Sequence, residues 1–270
     1  MLTSSSQYDA TSMKTHSLIK IILFFYLFIG LTAEAQILRV GPKGGIQLTR
    51  SIYEDSDFQK NYQRIPTLAF HAGMAMNVKV SDIFSLQTEW LYEESRKHIE
   101  DRVLPEWQKE TYRYLSLPVL LRVSLPAGYN EFFFNAGPRI SYWLSGQGEI
   151  MHGEVLDFEM ETLKYQMIFS GNGDDRSYFI NDANRFQLGL DFGIGAIFPM
   201  GSQSLMVDIR YSVGHTNMVK RDVKYLPLAF YDDNLQHSQQ MLSLSLSYLF
   251  NLDFHELSTK GKSTGKQVER

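Results

Sequence analysis

The chain has 270 residues, a formal net charge of -4 and no cysteine. The acidic balance argues against a nucleic-acid binder, which carries a basic surplus. The missing thiol excludes disulfides, thiolate metal sites, thiol catalysis and a lipid anchor on an N-terminal cysteine.

Leu18 to Leu31 is almost wholly apolar, follows Lys14 and Lys20, and ends at Ala33-Glu34-Ala35 before Gln36. A basic start, a short greasy core and a small-residue cleavage site describe a secretory signal peptide over residues 1–35. The alternative, a membrane anchor, needs roughly 20 apolar residues, and this core is shorter. Met13-Lys14 has the look of the natural start, with 1–12 a spurious extension, so the exported chain is expected to begin at Gln36.

From there period-two alternation dominates. Leu68, Phe70, Ala72, Met74, Met76, Val78 and Val80 share one face of a strand; Ala69, His71, Gly73, Ala75, Asn77 and Lys79 share the other. The pattern recurs over Tyr114–Leu125, Phe132–Tyr142, Arg185–Phe198, Ser204–Val213 and Leu242–Phe250, and more weakly over Val40–Arg50 and Ile83–Tyr92. Such spans exceed the usual soluble strand of about five or six residues and match the roughly nine to eleven that cross a bilayer. Short connections (Ser81-Asp82, Pro126–Asn130, Met200–Gln203) alternate with long polar ones (Ser51–Arg64, Lys97–Thr111, Gly146–Ala183, His215–Gln239). The expected fold is therefore all-β: an eight-stranded antiparallel transmembrane up-and-down β-barrel with short periplasmic turns and long extracellular loops. Lipid cannot satisfy backbone donors and acceptors, so the sheet must close on itself. The barrel is expected over 36–254 and a polar basic tail over 255–270.

Aromatic residues gather near strand ends, as membrane girdles require: Trp90, Tyr92, Tyr142 and Tyr211 toward the loops, and Phe84, Phe132, Phe198, Tyr248 and Phe250 toward the turns. Aligning the strands by depth puts His71, Glu89, Arg139, Asp191, Asp208 and Arg210 inside near mid-membrane, with Lys43 a candidate to join them. An eight-stranded barrel is just wide enough for side chains to fill, and charges out of water persist when paired. The expectation is a structural salt-bridged plug and a closed pore; the competing idea is a narrow proton path with His71 titrating.

The loops offer no assigned catalytic, cofactor or metal residue. His98, His152, His215 and His237 fall in or beside extracellular loops and are expected to be solvated there. Gly171-Asn172-Gly173-Asp174-Asp175 has calcium-like oxygen donors without a known spacing and is expected to be a turn. Pro118 and Pro138 cannot donate to a ladder, so bulges are expected at both. Glu149–Phe169 alternates in part and suggests a hairpin above the membrane or a cap over the mouth. Its deletion (Gly153 to Gly173) is expected to spare folding.

Certain stretches resemble the PorT-like outer-membrane barrel family of Bacteroidetes bacteria: Gly41-Pro42-Lys43-Gly44-Gly45-Ile46-Gln47-Leu48, Leu86-Gln87-Thr88-Glu89, Tyr114-Leu115-Ser116-Leu117-Pro118-Val119-Leu120-Leu121-Arg122 and Phe134-Asn135-Ala136-Gly137-Pro138. The resemblance covers most of Leu38 to Phe254 and implies a bacterial outer-membrane location. The family's namesake belongs to the type IX secretion and gliding machinery. The long third loop and the basic tail depart from the pattern. The expected role is a non-enzymatic interaction or assembly component, with a small-solute porin and a lipid-modifying enzyme as alternatives. Expected partners are outer-membrane lipid, the barrel-assembly machinery and an envelope protein met through loop 146–183, with no nucleic acid and no cofactor.

Overall fold

A computed structural model describes residues 37–53, 61–103, 105–153, 160–169, 177–180, 182–219, 226–228, 231–233 and 237–253. The expected signal peptide, the Gly171–Asp175 turn and the basic tail lie outside the described residues. Eight long strands form a closed ring: β1 (Ile37–Tyr53), β2 (Thr67–Lys79), β3 (Phe84–Asp101), β4 (Trp107–Ala127), β5 (Asn130–Gly153), β6 (Phe186–Met200), β7 (Gln203–Gly214) and β8 (His237–Asp253). Each pairs antiparallel with its chain neighbours, and β8 closes on β1 from Ile37↔Asp253 to Tyr53↔His237. Two of the hairpin turns are tight and place glycine at positive φ, Gly128 at 64° and Gly201 at 68°, a conformation that other residues adopt only with strain.

Alternation fixes which side chains meet lipid. Leu68, Phe70, Leu121, Phe134, Leu190, Ile209 and Leu244 are exposed on the outside, as are Trp90, Tyr92, Phe84, Phe132 and Phe250 of the two girdles. In water such a surface would be unstable. Moved into lipid, each Leu or Phe contributes roughly 1.5–3 kcal/mol, which gives the barrel its position in the bilayer.

Three strands run past this band. Tyr92, Leu115, Tyr142 and Phe186 are successive neighbours along one rung of β3 to β6. Beyond it, apart from Leu144 and Trp107, the outward residues of these strands become polar: Glu94, Arg96 and His98 on β3, Arg113, Thr111 and Lys109 on β4, Gln147 and Glu149 on β5. The extension is about eight residues, roughly 25 Å along the strand. Met160–Ile168 pairs antiparallel with the end of β5, Ser177–Phe179 adds parallel to it, and Tyr62–Arg64 pairs with the end of β3. Together they build an extracellular wall on one side of the barrel mouth.

Two expectations are corrected here. Lys97–Thr111 is not a loop: β3 and β4 continue through it and leave only Arg102–Glu106 between them, because alternation there survives with polar residues outside and Ile99 and Tyr112 inside. Pro118 and Pro138 do not create bulges. The β4–β5 register is the same on both sides of them; ladder pairs are simply missing beside Pro118, Pro138 and also Pro42, where no N–H can donate. The register shift falls instead at Arg113/Tyr114, opposite Ser145 and Trp143. The extra residue, Leu144, lets both Trp143 and Gly146 face inward, where the membrane barrel becomes the wall.

Candidate functional site

All six residues expected in the lumen polar network are buried inside the barrel, and five of them join in one ionic cluster. Arg210 from β7 forms two hydrogen bonds to Glu89 of β3, at 2.8 and 2.7 Å, and lies 3.4 Å from Asp208 and 3.6 Å from Asp191. Lys43 of β1 bridges Glu89 at 3.0 Å and Asp208 at 2.7 Å. Arg139 of β5 pairs with Glu93, sits 3.5 Å from Asp191 and donates to Ser212 at 2.9 Å. His71 stands beside the cluster, its Nε2 2.9 Å from the Ser245 hydroxyl. Room for its ring comes from Gly45, where a Cβ would lie 2.8 Å from the imidazole and 2.1 Å from the Leu244 carbonyl.

Sequence reasoning missed Glu93, Arg122 and Gln87. Glu93 lies one residue beyond the point where the third strand was expected to end, although Glu89, Leu91 and Glu93 share one parity. Arg122 is inward by the same parity as Leu120. It donates to Gln87, which in turn bonds Glu89, and its guanidinium lies 3.8 Å from the Phe133 ring centre. With Arg122 included, four cations face four carboxylates. The ionic layer is thus neutral, as a charged assembly in low dielectric must be to persist.

Layers above and below complete the filling. Toward the turns lie Ala75, Phe133, Ile197, Met206 and Leu249, with the Arg39–Glu131 pair at 3.0 Å near the rim. Toward the loops, Tyr112, Tyr114, Trp143 and Met167 pack with Ile180, Met218 and Val219 from the connections, so the segments over the mouth are packed into it. A hollow of about 30 Å³ remains beside Glu93 and Arg139. Gln187 and Gln239 also line this hollow.

The wall has a polar interior of its own. Lys97 and Glu110, opposite one another on β3 and β4, form a buried ion pair, and the hydroxyls of Tyr112 and Tyr165 donate to Glu110. Burial, reinforced by Asp101 and Glu106, pushes the Tyr62 hydroxyl up to about 12. On the outer face His98 lies 3.0 Å from Glu100; burial and then the Lys109 ammonium hold it below the usual histidine range, with Glu100 opposing. Two hollows open on this face, of about 730 Å³ and about 440 Å³, sharing Gln147 and Gln166.

The histidines expected as solvated loop groups divide. His98 sits on β3. His237 is not a loop residue but the buried first residue of β8, stacked near Tyr53 (5.0 Å) and Tyr112 (6.0 Å). His215 follows β7, its backbone N–H donating to the Leu188 carbonyl. The backbone of His152 belongs to β5, while its side chain lies outside the described residues. Glu149–Phe169 takes the hairpin form, and its Tyr165 and Met167 are buried in the mouth. Within Gly153–Gly173, the described stretch 160–169 is thus tied to the barrel mouth through Tyr165 and Met167. Among the described residues no group of three or more His, Asp or Glu is placed to hold a metal.

No curated protein matches the chain in sequence. Among solved structures, the attachment invasion locus protein Ail of Yersinia pestis is similar at 11% identity and a TM-score of 0.35, covering 79% of this chain and 99% of that one. Neisserial surface protein A is similar at 10% identity and 0.35, covering 80% and 97%. OprG of Pseudomonas aeruginosa is similar at 8% identity and 0.41, covering 80% and 95%. A family model described as "Outer membrane protein beta-barrel domain" matches residues 34–220. That span, more than half of the chain, takes in seven complete strands of the ring and the start of the connection that follows the seventh. With its closed ring, lipid-facing outer surface and neutral filled lumen, the chain belongs to the outer membrane protein beta-barrel domain family and resides in the outer membrane.

Proposed function

We propose that this protein is a closed, non-conducting and non-enzymatic barrel that serves as an interaction or assembly component of the envelope, presenting its extracellular wall to a protein partner. The observation that carries this reading is the ionic layer: Lys43, Glu89, Arg139, Asp191, Asp208 and Arg210 pair across the lumen while Trp143 and Met218 fill its mouth. A solute path would have to break a balanced buried ion network, which is costly. The strand motifs quoted above, Tyr114–Arg122 chief among them, support a place in the PorT-like branch, with type IX secretion as the assembly to examine first. The wall contributed by loop 146–183 supports the partner side of the proposal, since long connections that build ordered structure serve function more often than spacing.

Three measurements test it. Purified protein in planar bilayers is expected to give no stable conductance steps; reproducible steps would replace the reading with a small-solute porin. Crosslinking in the native envelope is expected to trap a protein through wall residues. Altered lipid A in a deletion strain, by mass spectrometry, would make the barrel an enzyme instead.

A further inference from the structure

We propose that the outer face of the wall is a binding site for the phosphorylated sugar headgroup of an outer-leaflet glycolipid, with Arg113 and Arg185 gripping a phosphate. The site is independent of whether the lumen is closed. Its position is set by the rung Tyr92, Leu115, Tyr142, Phe186, the last apolar ring on this side. Arg113 lies two residues beyond Leu115 on the same face of β4, and Arg185 immediately precedes Phe186. Both guanidinium groups therefore stand at the depth where lipid headgroups begin.

The smaller hollow, about 440 Å³, lies between them, with exposed Leu144 also in its lining. Arg185 is pre-positioned: it donates to the Trp143 carbonyl at 3.1 Å and stacks on Tyr142 (4.5 Å) and Phe169 (4.6 Å). Ordering a planar guanidinium in advance is what phosphate recognition requires. Gln147 and Gln166 lead into the larger hollow, about 730 Å³, where Arg96, Lys109 and Lys164 add charge. These five cations face three carboxylates: Glu94, 3.0 Å from Arg96 and 3.8 Å from Arg113; Glu149, 3.1 Å from Lys164; and Glu100 beside His98. Among these described residues the cations outnumber the carboxylates by two, on a chain whose net charge is negative. Apolar below, cationic at the boundary and amide-rich above, the face matches an acylated phosphosugar in its natural orientation. A soluble anion would have no use for the apolar lower edge.

The test uses the full chain folded in detergent, with bisphosphorylated lipid A in mixed micelles as the probe. The same lipid stripped of phosphate and inorganic phosphate alone are the comparison arms. Phosphorylated lipid is expected to bind about five-fold more weakly to Arg113→Gln and about 25-fold more weakly when Arg185→Gln is added, the scale for basic groups at a charged membrane surface. Dephosphorylated lipid is expected to bind no better than the double variant does. Equal binding of the two lipids, or an unchanged double variant, would overturn the proposal. So would full displacement of the lipid by inorganic phosphate, which would mark a site for free anions. Heat-modifiable gel mobility reports folding. If Arg185→Gln fails that check, Arg113→Gln with Lys164→Gln, both on the outer face, carries the same expectation of weakened binding.

Discussion

The lumen at mid-membrane and the wall above it are built from the same strands, yet they handle charge in opposite ways. In the lumen, carboxylates and cations from β1, β3, β4, β5, β6 and β7 balance across the barrel axis, beside a hollow of about 30 Å³. On the wall's outer face pairing stays among close neighbours on the sheet, such as Glu94 with Arg96 and Arg113, and it is incomplete beside two open hollows. The difference follows from the solvent each region answers to. Inside, an unpaired charge costs several kcal/mol; outside, water screens it and a surface pair is worth about 0–1 kcal/mol. Charge therefore closes the first region and leaves the second available for binding.

The strongest way to break this contrast is Arg210→Met. It leaves Glu89, Asp208 and Asp191 short of their shared counter-charge, so stability in urea is expected to fall by about 3–5 kcal/mol. Adding Glu89→Met should recover part of that loss; purely additive losses would show that the two residues do not act as a unit. Next comes Tyr165→Ala, which empties a buried aromatic site between Glu110 and the mouth cluster. About 3 kcal/mol of local stability is expected to go. Hydrogen exchange should quicken in Met160–Ile168 and leave β1 and β8 protected; uniform loss across the barrel would mean the wall is not a separate cooperative unit.

Arg122→Met sharpens the contrast from inside the lumen. Arg122 bonds Gln87 and Met206 and lies on Phe133, and among the described residues no carboxylate is in direct contact with it. Replacing it by an apolar side chain of similar length removes the layer's fourth positive charge but no direct ion pair, so the loss is expected to be smaller than the about 3–5 kcal/mol of Arg210→Met. A loss as large as that of Arg210→Met would show that it belongs fully to the ion network. The smallest effect is that of His98. Its folded value lies below its ordinary 6.5, burial being the larger cause and Lys109 the next. The favourable contribution of the neutral ring is therefore fully present above pH 6.5 and is lost as pH falls through the lowered folded value. Proton resonances of His98 should titrate below those of an unfolded control; titration at or above 6.5 would contradict the arrangement.

The membrane portion of the fold was legible because lipid imposes a strict period on outward residues. His71, Asp191 and Asp208 were recoverable from the same parity, since each alternates with apolar residues on a long strand. Legibility failed where greasy alternation ended and the strand did not. Beyond Tyr92 and before Tyr114 both faces carry polar groups, so Lys97 and Glu110 read as loop and Glu93 fell past the expected strand end, although all three are buried. Their burial depends on partners far along the chain, Tyr165 above all, which no local pattern announces. The prolines misled for a related reason: a missing donor predicts a gap in the ladder, but neighbouring pairs hold the register across it.

Lys43 has a consequence for how the molecule reaches its membrane. Its two counter-ions come from β3 and from β7, 46 and 165 residues away. Until the penultimate strand has arrived, the first strand presents an under-neutralised ammonium, and Arg210 waits in the same way for β3. No early hairpin is self-sufficient, so a nascent, half-zipped sheet is penalised for entering the bilayer and the completed cylinder is not. Sealing the seam and silencing the interior charge are coupled: Lys43 reaches Asp208 where the first strand lies one strand away from the seventh, across β8.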